Sequence, residues 1–183
     1  MATIEHNVIT EANLHQCKGV STAPGGAFQR SKGDGTGEWV ETHGLWCYKE
    51  NPISFTSGVW TDISWDGTLI SSGVTRSGAT LTIARSGVYI LSYAIMAASP
   101  AKAEARVLKN GSELVGSARG IEGTATMFNI PIQATFGAAL TAGDTLKLQF
   151  YIHSPASGTI AYIPGGVATN RGLAQLYVYT LPS

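Results

Sequence analysis

Charge is scarce in this sequence. Asp, Glu, Lys and Arg make up 13% of its 183 residues, about half the usual share, and the two signs balance at 12 residues each. A net charge of zero argues against the basic surface that neutralises phosphates, so no nucleic acid is expected as a partner. It also removes the self-repulsion that keeps isolated proteins dispersed, which favours fixed assembly. Cysteine is nearly absent. Cys17 and Cys47 cannot form a disulfide framework and read as two reduced thiols of a chain made in a reducing cytoplasm. Long apolar runs are missing too. Val88 to Leu91 and Tyr93 to Ala98 are separated by Ser92 and fall short of the ~20 residues a bilayer span needs. The opening Met1-Ala2-Thr3-Ile4-Glu5-His6 has neither a basic nor an apolar signal region, so neither secretion nor a membrane is expected.

What the chain does have is glycine, 22 residues of it, between short runs rich in Val, Ile, Thr and Tyr. Those residues suit a pleated surface, and no long window carries a helical stripe with caps. Short strands at even spacing with Gly-rich turns read as an all-β sandwich. With 44% hydrophobic residues the chain can bury roughly 70% of its unfolded surface, as one domain of this size does. Residues 1–40 differ from the rest. Ser21 to Gly26 and Gly33 to Gly37 have linker composition, while Ile4, Val8, Ile9 and Leu14 are apolar enough to dock onto a partner. We read 1–40 as an arm and 41–183 as the folded domain.

From His43 onward there are about ten strand candidates, close to what a jelly roll needs. His43 to Lys49 opens the set. Val59 to Trp65 and Thr68 to Ser71 are expected to form a hairpin around Asp66-Gly67. Ala79 to Ala84 leads into Val88 to Ala98, the longest strand. Lys102 to Lys109 and Ser112 to Ser117 should pair across Asn110-Gly111, a type I′ dipeptide. Ala125 to Phe136, Thr145 to Ser154 and Gly172 to Leu181 complete the set, and Pro131 implies an edge or a bulge.

Several segments resemble one family in their order. Ser86-Gly87-Val88-Tyr89-Ile90-Leu91-Ser92-Tyr93 resembles the Gly-x-Tyr strand of the C1q/TNF-like jelly roll. Ala105 to Gly111 resembles its next hairpin, Leu140 to Leu148 its Leu-x-x-Gly-Asp strand entry, and Leu173 to Tyr179 its closing strand. The resemblance covers residues 43–183 and implies a homotrimer, with the sheet that carries the Gly-x-Tyr strand packed around a three-fold axis. The residues independently suggest a covered second face. Tyr89, Leu91, Tyr93 and Ile95 form one apolar row, and Val88, Ile90, Ala94 and Met96 form another, where a half-solvated strand would alternate. By the resemblance, Val88 and Ile90 face the axis with Tyr177 or Tyr179 nearby. The first forty residues, from Ile4-Glu5-His6 through His15 to Ala23 and Gly33 to Trp39, are similar to the amino-terminal arms of tailed-bacteriophage virion proteins. This implies attachment through Ile4, His6, Val8, Ile9 and Leu14 to the major capsid protein or another virion protein.

No catalytic signature is present, and no enzyme is expected. Gly-x-Ser-x-Gly is absent, the four histidines are dispersed, and Gly33 to Gly37 lacks the Lys-Ser/Thr of a phosphate loop. His15-Gln16-Cys17 offers too few ligands for zinc. Asp62, Asp66 and Asp144 make no dense calcium loop, and Asp66 and Asp144 read as turn residues whose carboxylates cap local amides. Neither a metal nor a cofactor is expected. Trp39, Trp46, Trp60 and Trp65 lie close together in sequence, which reads chiefly as packing where the arm joins the domain, with sugar stacking as the rival. The function this implies is a trimeric virion decoration or short head fibre, made in the host cytoplasm and anchored by its arm. The alternative is a tail-fibre tip that binds a host-surface glycan or protein.

Overall fold

The computed structural model describes residues 27–31, 37–41, 43–97, 102–122, 130–154, 157–160 and 174–180. Among them are strands and no helix. The expected attachment residues Ile4, His6, Val8, Ile9 and Leu14, and Cys17 with them, lie outside the described residues. The chain divides into two compact units, Met1–Thr42 and His43–Leu181. In the first, β1 (Ala27–Ser31) pairs antiparallel with β2 (Gly37–Glu41), Ala27 opposite Glu41. Gly37, the last glycine of the run that reads as linker, opens β2.

The second unit begins with β3 (Gly44–Lys49), β4 (Ile53–Thr56), β5 (Thr61–Asp62) and β6 (Gly67–Ser72). It continues through β7 (Val74–Ser77), β8 (Thr80–Ile83), β9 (Gly87–Ala97), β10 (Lys102–Lys109) and β11 (Ser112–Glu113). It ends with β12 (Arg119–Glu122), β13 (Ile130–Leu140), β14 (Thr145–Ser154), β15 (Ser157–Ile160) and β16 (Ala174–Thr180). Two antiparallel sheets result. One runs β13-β9-β16-β3-β6; the other runs β11-β10-β14-β8-β7, with β12 also on β10 and β5 also on β14. A separate pair joins β15 to β4. Apart from the β7-β8 and β10-β11 hairpins, most sheet neighbours are distant in sequence, which is the jelly-roll pattern.

The period-two burial that a pleated sheet imposes builds the core between the sheets. The five-stranded sheet contributes Tyr89, Leu91, Tyr93 and Ile95 from β9, Leu176 and Val178 from β16, and Leu45 and Cys47 from β3. Facing them are Val107 from β10, Leu146, Leu148, Phe150 and Ile152 from β14, and Leu81 and Ile83 from β8. Each fully buried side chain of this kind contributes about 1.5–3 kcal/mol. Tyr93 ties the two layers. Its hydroxyl donates to Ser117 O at 2.7 Å and Ala105 O at 3.3 Å, so the buried polar tip is satisfied on the opposite sheet. Small Ala103 and Ala105 leave room there, and Ser117 Oγ in turn accepts from Val107 N at 3.0 Å.

Two strands match the sequence reading at both ends, β10 and β14. Asn110 and Gly111 adopt φ of 51° and 83°, as a type I′ turn requires. Pro131 lies on β13, an edge strand, where a missing N–H costs least. The expected Asp66-Gly67 hairpin does not form. β5 pairs with β14 and β6 pairs with β3, so the segments on either side of Asp66 go to different sheets. Asp66 is committed elsewhere: its carboxylate accepts from Glu50 N, Asn51 N and Lys49 Nζ, which holds it to the end of β3. The partner of β10 across Asn110-Gly111 is also shorter than expected, β11 spanning Ser112–Glu113 alone.

Candidate functional site

The five-stranded sheet has an outer face that the chain's other sheet does not cover. Because β9 alternates, burying Tyr89 to Ile95 turns Val88, Ile90, Ser92, Ala94 and Met96 outward. Register then decides their neighbours. Tyr179 stands beside Ile90, Tyr177 beside Ser92, and on the other side Trp46 stands beside Tyr177 with Ile70 next in line. The Trp46 and Tyr177 rings stack with centroids 4.9 Å apart and planes 21° apart. Val88 is 53% exposed, Ile70 58% and Tyr179 46%, high values for large apolar side chains on one sheet face. Trp46 Nε1 is buried without a hydrogen-bond partner among the described residues.

The four residues expected at a three-fold axis, Val88, Ile90, Tyr177 and Tyr179, are thus brought to one outward face. Trp46 and Ile70 extend that face, and the sequence reading did not place them there. The signal available was parity: Trp46 alternates with Leu45 and Cys47, which go to the core.

Trp46, Trp60 and Trp65 do not form one cluster. Trp65 is in the core at 4% exposure, and Trp46 belongs to the outer face just described. Trp60 lies on the outer face of the other sheet, with the Arg106 guanidinium 3.9 Å above its ring and Tyr151 at 5.2 Å. Around it runs a network of paired charges. Arg106 bonds Gln149 at 3.0 Å and Glu113 at 3.3 Å, Asp62 accepts from Lys147 and Gln149, and His153 contacts Glu104 at 2.8 Å.

The remaining chemistry-bearing groups are structural. Burial pushes the Cys47 thiol up to about 12 despite the opposing charge of Arg76, so it is a poor nucleophile at neutral pH. Asp144 does cap its turn, accepting from Thr141 N at 2.7 Å and Asn110 Nδ2 at 2.7 Å, with Lys109 Nζ at 2.9 Å. Among the described residues no three His, Cys, Asp or Glu side chains are grouped to hold a metal ion.

No protein-family model and no curated protein matches this chain. Solved structures do match in fold. Murine APRIL at pH 5.0 superposes with a TM-score of 0.58 at 14% identity, covering 77% of this chain and 100% of APRIL. APRIL at pH 8.5 superposes with a TM-score of 0.55 at 13% identity. Eiger TNF from S. frugiperda superposes with a TM-score of 0.52 at 12% identity, covering 78% of this chain and 94% of that one. At such identities the likeness is one of architecture, and the chain is an all-β protein with a TNF-like jelly-roll fold.

Proposed function

We propose that the protein is a structural component of a tailed-bacteriophage virion, a homotrimeric decoration or short head fibre held by residues 1–40. The observation that supports assembly is the outward face of the five-stranded sheet, with Val88, Ile90, Tyr179, Trp46 and Ile70 side by side. Exposed apolar side chains on a sheet whose β9 and β16 carry no charge are what an interface core requires. The TNF-like fold agrees with self-association, and three copies is the number implied by the resemblance of Gly87-Val88-Tyr89 and its neighbouring strands to C1q/TNF-like domains. The virion assignment rests on the resemblance of the first forty residues to phage arms. A second reading, binding of a host-surface glycan, draws on Trp60 and Tyr151, half-buried aromatic rings set among fixed polar groups on the other sheet.

Light scattering on a size-exclusion column tests the assembly. The expected mass is three times the 19.2 kDa of the chain. Ile90→Asp should reduce it to one copy, because a carboxylate sealed against apolar neighbours costs on the order of several kcal/mol. Ile90 points away from the core, so the variant should keep its strand signal in circular dichroism. A monomeric wild type, or an Ile90→Asp chain with unchanged mass and melting temperature, removes the face from the interface.

A further inference from the structure

A notch of about 380 Å³ lies along the paired strands β9 and β13, its polar lining supplied by Ser92, Gln133, Thr135, Tyr177 and Arg119. Its groups come from far apart in the chain. Ser92 and Thr135 are cross-strand partners with hydroxyls 2.8 Å apart, Gln133 is exposed two residues along β13, and Tyr177 borders from β16. Arg119 reaches in from β12, which belongs to the other sheet.

One cation lines this notch. Lys49, Arg106, Lys109 and Lys147 each contact a carboxylate of their own chain, whereas Arg76 bonds Thr68 Oγ1 and the Trp65 carbonyl. Arg119 contacts no carboxylate among the described residues; its Nη1 donates to the Ala118 carbonyl at 2.6 Å. Among the described residues no acidic side chain lines the notch, and its single cation lies with two hydroxyls, an amide and a phenol.

We infer that the notch is a carboxylate-binding site, with Arg119 pairing the acid and Ser92, Thr135 and Gln133 meeting hydroxyls beside it. A guanidinium offers two parallel N–H groups that match one carboxylate, and a single positive charge matches a single negative one. A phosphate dianion would leave net charge unbalanced. The volume sits at the small end of ligand cavities, roughly 300–1,000 Å³, and admits a group the size of one sugar ring. The acid comes either from a free hydroxylated carboxylate, such as a uronic acid, or from an acidic side chain of a second copy. The notch shares Tyr177 and one sheet face with the proposed interface, and the second-copy source rests on that assembly reading; the mass measurements below separate the two.

The test uses the full chain, titrated calorimetrically with D-galacturonate, its methyl ester and D-galactose, alongside mass measurements across a dilution series. If the acid is a free sugar acid, galacturonate binds, the two neutral sugars bind at least about tenfold more weakly, and Arg119→Gln loses about tenfold or more. If a second copy supplies it, the wild type takes up no galacturonate, and Arg119→Gln dissociates at about tenfold higher concentration with Arg119→Lys in between. Gln133→Glu places a like charge in the notch and should reproduce the Arg119→Gln result in whichever arm responds. The inference is overturned when neither variant alters galacturonate binding or assembly. It is overturned also by a wild type that is monomeric and binds no galacturonate. A monomer that does bind it refutes the assembly reading and leaves the notch standing.

Discussion

Asp144 is one residue whose charge state matters to the whole fold. The Thr141 amide, Lys109 and Asn110 all favour its ionised form, and together they hold its carboxyl down at about 2, against partial burial that opposes them. In the unfolded chain the same group titrates near its ordinary value of 3.8. A carboxyl held lower in the folded state adds stability that is complete above the unfolded value and vanishes as pH falls through the folded one. Wild-type stability should therefore decline between pH 4 and pH 2. Asp62 and Asp66 are also held below their ordinary values by lysines and amide donors that outweigh burial, so they add to the same decline. Asp144→Asn should be less stable than wild type at pH 7 and lose less of its stability on acidification. Urea midpoints at pH 7, 4 and 2.5 at one protein concentration measure both effects.

At the scale of the element, the β10–β11 hairpin shows how one turn residue serves three strands. Asn110 occupies the left-handed region at φ 51°, accepts from Thr145 N at 2.8 Å and donates to Asp144 at 2.7 Å. It therefore closes the hairpin and also ties it to the entry of β14. Asn110→Ala removes these side-chain bonds, and a third from Thr145 Oγ1 at 3.2 Å, and leaves a Cβ-bearing residue without local support at positive φ, a loss of about 2–3 kcal/mol. Gly78, the turn between β7 and β8, has φ 58° with open space where a Cβ would go. Gly78→Ala should cost about 1 kcal/mol, from backbone strain alone. Denaturant curves with equal slopes would give that ranking, and equal losses at both sites would show that the Asn110 side-chain bonds contribute nothing net.

For the molecule as a whole, core and attachment are expected to reside in different units. The described core residues run from Leu45 to Val178, all within His43–Leu181. A chain starting at Glu41 should therefore fold and keep the assembled mass of the full-length protein. It should fail to co-sediment with virions stripped of the native protein. The full-length protein should rebind, with three arms acting together to give far tighter attachment than one. Equal co-sedimentation of the two chains would make the jelly roll itself the anchor.

The all-β class, the bounds of β10 and β14, the Asn110-Gly111 turn and the edge position of Pro131 were legible in the sequence because each depends on local physics. Alternation, strand-forming residues and positive φ act within a few positions. The two apolar rows of Val88 to Met96 were legible too, and they implied that the outer face needs covering. Residues alone could not say which row faces in, since both are apolar. Contact with β10, β14 and β8 chose the row from Tyr89 to Ile95. Asp66-Gly67 misled for the same reason: its local hairpin preference lost to Asp66 capping the end of β3 and to β5 pairing with β14. The notch was invisible for want of any sequence proximity. Ser92, Arg119, Thr135 and Tyr177 converge through jelly-roll crossovers that place distant strands side by side, and such long-range pairing leaves no mark on the spacing of the residues it unites.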